Sequence, residues 1–136
     1  MLVIYNDQGA IEQTVIIGDF ESLTPIFVAM GKHVLSVDEI GSPEKCYVLN
    51  GKVVAMPNIE IIGEVRAIKA DGVDTLTFSI NPQSFDLTVM LGNTVVHQES
   101  SSAGSLEFAV THPGTYKLTF LAAFPYYPTS LVLEAQ

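Results

Sequence analysis

Three histidines and one cysteine are the side chains of this sequence most often used to bind metals or to act as nucleophiles. They are His33, His97, His112 and Cys46. A zinc site needs about four such ligands that converge, and ligand pairs usually lie a few residues apart. Here the four residues are widely separated along the chain. The spacing therefore predicts no metal site, and nothing in the sequence indicates a cofactor.

The sequence also lacks the motifs of covalent catalysis and phosphate binding. No Gly-x-Ser-x-Gly turn occurs, and Cys46 stands between Lys45 and Tyr47 with no histidine close to it. No Gly-rich phosphate-binding motif is present. The acidic residues could supply the paired carboxylates of a glycosidase, but no spacing marks one pair. We therefore predict a protein that is not an enzyme, in which Cys46 is a small buried apolar residue.

An acidic turn, Asp71-Gly72-Val73-Asp74, offers two carboxylates that could in principle bind calcium. Calcium takes about six to eight oxygen ligands, and its binding loops carry a dense alternation of Asp and Asn. That alternation is missing. We expect a turn with solvated acidic side chains.

The candidate binding segment is an aromatic loop between the last two predicted strands. It consists of Phe124, Pro125, Tyr126, Tyr127 and Pro128. Aromatic side chains supply contact area at low cost in conformational entropy, and the prolines stiffen the loop, which suits a binding surface. The loop could bind a partner protein, or its rings could stack on a carbohydrate. Alternatively, it folds back and closes one end of its domain.

Composition excludes several classes of partner. Six Lys and Arg against 15 Asp and Glu give a formal net charge of -9. The positive charge that neutralises phosphates is missing, so we expect no nucleic-acid partner and no attraction to an anionic membrane. No run approaches the roughly 20 apolar residues of a membrane span. A mean hydropathy of +0.35 indicates a buried core and some apolar surface that lies against other chains.

The hydrophobic pattern divides the chain into a small β-rich module, residues 1–57, and a second module, residues 58–136. In the first, Met1–Asn6 and Ala10–Ile17 flank a Gly-containing turn and predict a hairpin. Asn50-Gly51 predicts a second hairpin, with positive φ at both turn residues. A module of about 55 residues is only marginally stable alone. We expect contacts with the second module or with a partner to stabilise it.

Two apolar runs of the first module could lie in its core or at an interface, and we favour the core for both. These are Thr14–Ile17 and Ile26–Met30. The second run belongs to the segment Ser22–Gly31, which is either a short helix or a buried loop, because length and periodicity do not separate the two.

The second module predicts about seven short, evenly spaced strands, which is typical of an immunoglobulin-like β-sandwich. Ile59–Lys69 is the first expected strand, and Thr75–Ile80 alternates polar and apolar residues throughout. Tyr116 follows the turn Pro113-Gly114, the position of a tyrosine corner in such sandwiches. The alternative is an ordinary half-buried tyrosine. The core tryptophan and disulfide of antibody domains are absent, so other residues must fill that volume: Phe78, Leu87, Leu118 and Phe120.

Several motifs resemble small two-module proteins that bacteriophages and prophages usually encode among their tail genes. The motifs are Tyr47–Pro57, which reads Tyr-Val-Leu-Asn-Gly-Lys-Val-Val-Ala-Met-Pro, then Ala70–Asp74, Gly104–Phe108, Pro113–Tyr116 and Pro125–Pro128, together with the opening strand Leu2–Asn6. The resemblance spans nearly the whole chain, but its motifs are structural. Tyr126-Tyr127 stands where Trp-Pro-Tyr is common in that group, so the partner specificity of the loop does not carry over.

The resemblance implies a non-enzymatic virion structural protein, made in the host cytoplasm and located in the tail. Its expected place is the tail tip, the baseplate or the fibre attachment site. The expected partners are other tail proteins, in an oligomeric assembly, with contact to a host-surface glycan as a further expectation. Two other functions remain open, namely a capsid decoration protein and a carbohydrate-binding module.

Overall fold

The computed structural model describes all 136 residues and consists mainly of β-strands. The chain forms two compact units, Met1–Met56 (unit 1) and Pro57–Gln136 (unit 2). Unit 1 contains β1 (Leu2–Tyr5), β2 (Ile11–Val15), α1 (Phe20–Ala29), β3 (His33–Ser36), β4 (Cys46–Leu49) and β5 (Lys52–Ala55). Unit 2 contains β6 (Glu60–Ile62), β7 (Leu76–Asn81), β8 (Phe85–Leu91), β9 (Thr94–Ser101), β10 (Ser105–Phe108), β11 (Gly114–Leu121) and β12 (Thr129–Ala135). The predicted mainly β fold is confirmed. No helix of the chain has the length and apolar character needed to cross a lipid bilayer.

The main sheet of unit 1 has the order β2-β1-β3, with antiparallel pairing on both sides of β1. Because β1 is the central strand, Leu2, Val3 and Ile4 are buried. The turn after β1 approaches β4 closely. The Val48 N–H donates to the Gly9 carbonyl oxygen over 2.8 Å, and a Cβ at Gly9 would collide with the Val48 carbonyl oxygen. Only glycine fits this approach, which also requires a φ of 91°.

The second predicted hairpin, β4–β5, is also present. Asn50 and Gly51 have φ values of 52° and 76°, as a two-residue turn requires. Cys46 lies in β4 opposite Ala55 and is half-buried. The expectation of a buried residue was therefore too strong.

The segment Ser22–Gly31, predicted as either a short helix or a buried loop, is mostly helical. α1 begins after Asp19, whose carboxylate accepts hydrogen bonds from the Ser22 N–H and hydroxyl. It ends before Gly31, which has a φ of 79°. None of its residues is buried. Ile26, Val28 and Met30 are exposed and Phe27 is half-buried, so the favoured assignment of this run to the core was wrong. Successive helical residues point about 100° apart, so a continuous apolar run cannot face one small sheet.

Unit 2 is an immunoglobulin-like β-sandwich of two sheets, with strand orders β10-β7-β6 and β12-β11-β8-β9. Alternate residues of β7, β8 and β11 point inward, and side chains from both sheets form one hydrophobic core. The four residues expected to replace the tryptophan and disulfide are all buried: Phe78, Leu87, Leu118 and Phe120.

The first expected strand of unit 2 is divided between the two sheets. β6 covers only Glu60–Ile62 and pairs with β7, whereas Ile68 pairs with Ala135 at the end of β12 in the parallel sense. The Ile68 N–H donates to the Glu134 carbonyl oxygen over 3.0 Å. The prediction of one continuous strand over Ile59–Lys69 was wrong. Its apolar pattern does not reveal that the chain changes sheets.

Tyr116 forms the predicted tyrosine corner. Its hydroxyl donates to the His112 carbonyl oxygen over 2.6 Å, across the turn that precedes β11. The side chain is 3% exposed, and its ring meets the Phe108 ring edge-on at a centroid distance of 5.5 Å. This residue therefore ties the turn to the core.

Candidate functional site

The residues with metal-binding or nucleophilic chemistry do not come together. His33 Nε2 lies 2.7 Å from Asp7 Oδ1, and the imidazole stacks on the Tyr5 ring at 5.3 Å. His97 Nε2 lies 3.7 Å from Glu99 Oε2. The structure contains no group of three or more His, Cys, Asp or Glu side chains placed to hold a metal ion.

The carboxylates of the acidic turn are occupied by hydrogen bonds from the protein. Asp74 accepts two hydrogen bonds from the Arg66 guanidinium, at 3.0 and 2.8 Å, and one from the Lys69 N–H at 2.9 Å. The Arg66 hydrogen bonds hold the pKa of Asp74 far below its usual range. Asp71 accepts from the N–H groups of Asp74 and Val73, which lowers its pKa. These contacts stabilise the turn, so the two carboxylates act structurally.

The aromatic loop joins β11 to β12 and presents only part of its apolar surface. Phe124 is 37% exposed and Pro128 is exposed. Tyr126 is half-buried and packs against the core of unit 2, and its N–H donates to the Ala123 carbonyl oxygen. The Tyr127 N–H donates to the Pro57 carbonyl oxygen over 2.9 Å.

The structure therefore assigns different positions to the five loop residues. Tyr126 closes the end of the sandwich, Pro125 and Tyr127 are half-buried, and Phe124 is the exposed ring. Binding through the loop stays a prediction, but it would depend on Phe124 and Pro128 more than on a continuous platform of three rings.

Unit 1 exposes a set of apolar side chains for which the sequence favoured the core over an interface. This exposed apolar set consists of residues at the end of β2 and in or directly after α1: Ile16 (69% exposed), Ile17 (89%), Ile26 (55%), Val28 (57%) and Met30 (64%). Exposed apolar patches larger than a few hundred Å² commonly mark interaction sites. Periodicity could have provided a warning, because a continuous apolar run on a helix exceeds the width of one buried face.

A second surface feature is a cleft of about 390 Å³ in unit 2, at the edges formed by β9 and β10. Its apolar lining includes Leu87, Val89, Leu106 and Phe108, and the acidic residues Glu99 and Glu107 also line it. Sequence alternation identifies the apolar residues. It does not show which strands end up at the sheet edges.

No family model and no curated protein matches this sequence. Two solved structures show a distant likeness. The sulfur carrier protein SoxY from Chlorobium limicola f thiosulfatophilum aligns with 60% of this chain and 86% of its own, at 11% identity and a TM-score of 0.32. The human OSCAR ligand-binding domain aligns with 76% of this chain and 69% of its own, at 12% identity and a TM-score of 0.37. Likenesses this distant carry no functional argument.

Proposed function

We propose that this protein is a non-enzymatic structural component of a phage virion, located at the tail tip, the baseplate or the fibre attachment site. In this proposal, unit 1 docks on a larger tail protein and unit 2 serves as a spacer that also contacts other surfaces. The observation that carries the proposal is the exposed apolar set of unit 1. The location is supported by the sequence motifs that resemble those of phage tail-associated proteins.

Docking through this set is energetically reasonable. Fully burying a side chain of this size contributes about 1.5–3 kcal/mol, and these five are already partly covered. Ile26 and Val28 point about 200° apart on α1, so one partner surface covers only part of the set. Counting about 1 kcal/mol for each of three side chains gives a gain on the order of 3 kcal/mol, before the cost of association. A surface of this kind supports assembly within a particle, where many subunits hold one another in place. It also accounts for a high mean hydropathy in an acidic protein.

Quantitative mass spectrometry and immunogold labelling of purified particles would test the proposal. We expect a few copies per particle and label at the tail end. Label over the head with many copies would replace the tail role with capsid decoration. Absence of the chain from purified particles would overturn both virion roles.

A variant pair tests whether unit 1 carries the docking. Ile17→Lys combined with Val28→Lys places two charges in the exposed apolar set, and we expect incorporation into particles to fall at least tenfold. The matched control is Val132→Lys, because Val132 is 54% exposed on β12 of unit 2. Equal incorporation of the variant and the control would refute docking through unit 1.

Glycan binding is the second candidate function, and the exposed Phe124 ring is the observation that favours it. It predicts that the isolated protein binds host-surface glycans and that Phe124→Ala abolishes the binding. A glycan array probed with the wild-type protein and with the Phe124→Ala variant tests this prediction. Identical signals from the two proteins would exclude a role for the loop in glycan binding.

A further inference from the structure

Unit 2 has an open seam between its two sheets. β9 pairs only with β8, and β10 pairs only with β7, so each is the edge strand of its sheet. In the constant-type immunoglobulin sandwich, a fourth strand occupies the place beside the strand equivalent to β10. No segment of this chain takes that place, and the cleft of about 390 Å³ lies along the seam.

The outer edge of β10 has main-chain groups available for a further strand. The Ile80 N–H donates to the Gly104 carbonyl oxygen over 2.8 Å, in the register that continues into the β7–β10 ladder. Hydrogen-bonded pairs alternate along an antiparallel ladder, so Leu106 and Phe108 bond toward β7. The amide and carbonyl groups of Ser105 and Glu107 consequently point away from β7. An extended chain beside β10 would meet donors and acceptors at the strand's own spacing.

The lining of the cleft indicates the chemistry of the missing strand. Leu87 and Val89 of one sheet and Leu106 and Phe108 of the other form the floor of the cleft, and these four apolar residues are buried in the core. Glu99 and Glu107 also line the cleft, together with His97 and His112, whereas no Lys or Arg does. The whole chain carries a net charge of -9. Side chains of a strand point alternately to its two faces. Glu107 alternates with the inward-facing Leu106 and Phe108, so its side chain lies on the outer face of β10. A fitting segment places apolar residues toward the core and basic residues beside Glu107.

We propose that unit 2 binds an extended segment of a partner protein, in which apolar and basic residues alternate, as a fourth strand beside β10. Main-chain hydrogen bonds to β10 provide affinity in this mode, while the apolar floor of the cleft and Glu107 select the sequence. The partner is therefore recognised through a basic, β-forming segment. The proposal concerns unit 2 and is independent of docking through unit 1.

A peptide titration with the full-length protein tests this binding mode. The probe is a fluorescently labelled peptide of alternating valine and lysine, measured by anisotropy at moderate salt. Two comparison peptides test the alternation and the charge separately. One has the same composition with its lysines grouped, and the other has glutamate in place of lysine. We expect saturable binding of the alternating peptide and at least tenfold weaker binding of both others. Equal binding of the grouped peptide, or no binding at millimolar concentration, would overturn the proposal.

Charge reversal on the protein locates the site. Glu107→Lys should weaken binding of the alternating peptide at least tenfold, and circular dichroism should show an unchanged fold because Glu107 is exposed. The matched control is Glu60→Lys, which lies on β6 at the opposite edge of the same sheet. Weakening by Glu60→Lys alone would place the peptide at that edge and refute the assignment. A concentration-dependent dimer that Glu107→Lys disrupts would make a second copy of this chain the occupant, which also overturns it.

Discussion

Replacing Tyr116 with phenylalanine isolates the hydrogen bond of the tyrosine corner. The change removes one hydroxyl and leaves the buried ring, including its edge-on contact with Phe108, in place. The His112 carbonyl oxygen loses its 2.6 Å donor. Because almost no volume is removed, the change in unfolding free energy reports on the hydrogen bond and not on a cavity.

The expected magnitude follows from the burial of the pair. A net hydrogen bond contributes about 0.5–1.5 kcal/mol, and a buried acceptor left without a donor adds up to about 3 kcal/mol. Tyr116 is 3% exposed, but the turn that carries His112 lies at the surface, so water can reach the carbonyl oxygen in part. We expect a loss of about 1–2 kcal/mol. In a unit of about 80 residues, that loss lowers the Tm by roughly 5–15 °C.

Urea unfolding followed by NMR amide signals of unit 2 measures this effect without interference from unit 1. The control is Tyr126→Phe, because the Tyr126 ring packs on the same core while its hydroxyl makes no hydrogen bond within the protein. We expect the control to change the unfolding free energy by less than about 0.5 kcal/mol, as is usual for substitutions that remove no such contact. If both variants lose the same stability, the hydroxyl of Tyr116 does not stabilise the corner.

Two further substitutions test local features of the fold. Gly9→Ala should destabilise unit 1 by more than about 1 kcal/mol, because its Cβ would collide with the Val48 carbonyl and its φ is positive, and thermal unfolding followed by circular dichroism measures the change. Asp74→Asn should reduce the stability of unit 2 at pH 7, where the native carboxylate pairs with Arg66. The native pKa of Asp74 lies below its ordinary value of 3.8, so its contribution is present above that value and is lost as the pH falls through the native pKa. The difference in urea midpoint between wild type and Asp74→Asn should therefore narrow between pH 7 and about pH 2.

A matched control variant for Gly9→Ala and another for Asp74→Asn show whether the loss of stability is specific to the substituted site. Gly41→Ala adds the same methyl group where nothing lies within 4 Å, so it should leave the stability of unit 1 unchanged within about 0.5 kcal/mol. Equal effects of the two alanine variants would contradict the close approach at Gly9. Glu60→Gln is the control for Asp74→Asn, because it also removes a carboxylate of unit 2, but one that makes no hydrogen bond in the structure. A stability difference for Asp74→Asn that stays constant with pH would show that the Arg66 pair does not depress the native pKa.

The sequence by itself determined the local features of this protein. Strict alternation over Thr75–Ile80 predicted a strand with one buried face, and Asn50-Gly51 predicted a hairpin turn with positive φ. The position of Tyr116 after Pro113-Gly114 predicted the tyrosine corner. Each of these features depends on residues close together in the chain, where side-chain periodicity and backbone conformational preference act directly.

Only the tertiary structure decided which apolar residues are covered and which strands remain at an edge. The runs ending at Ile17 and Met30 look like core in the sequence, but most of their apolar side chains are exposed on unit 1. The segment after β6 leaves its sheet and reaches β12, which no local pattern indicates. The cleft beside β10 exists because no strand pairs there. Burial and pairing depend on contacts between residues distant in the chain, so they follow from how the sheets assemble and not from the residues of one segment.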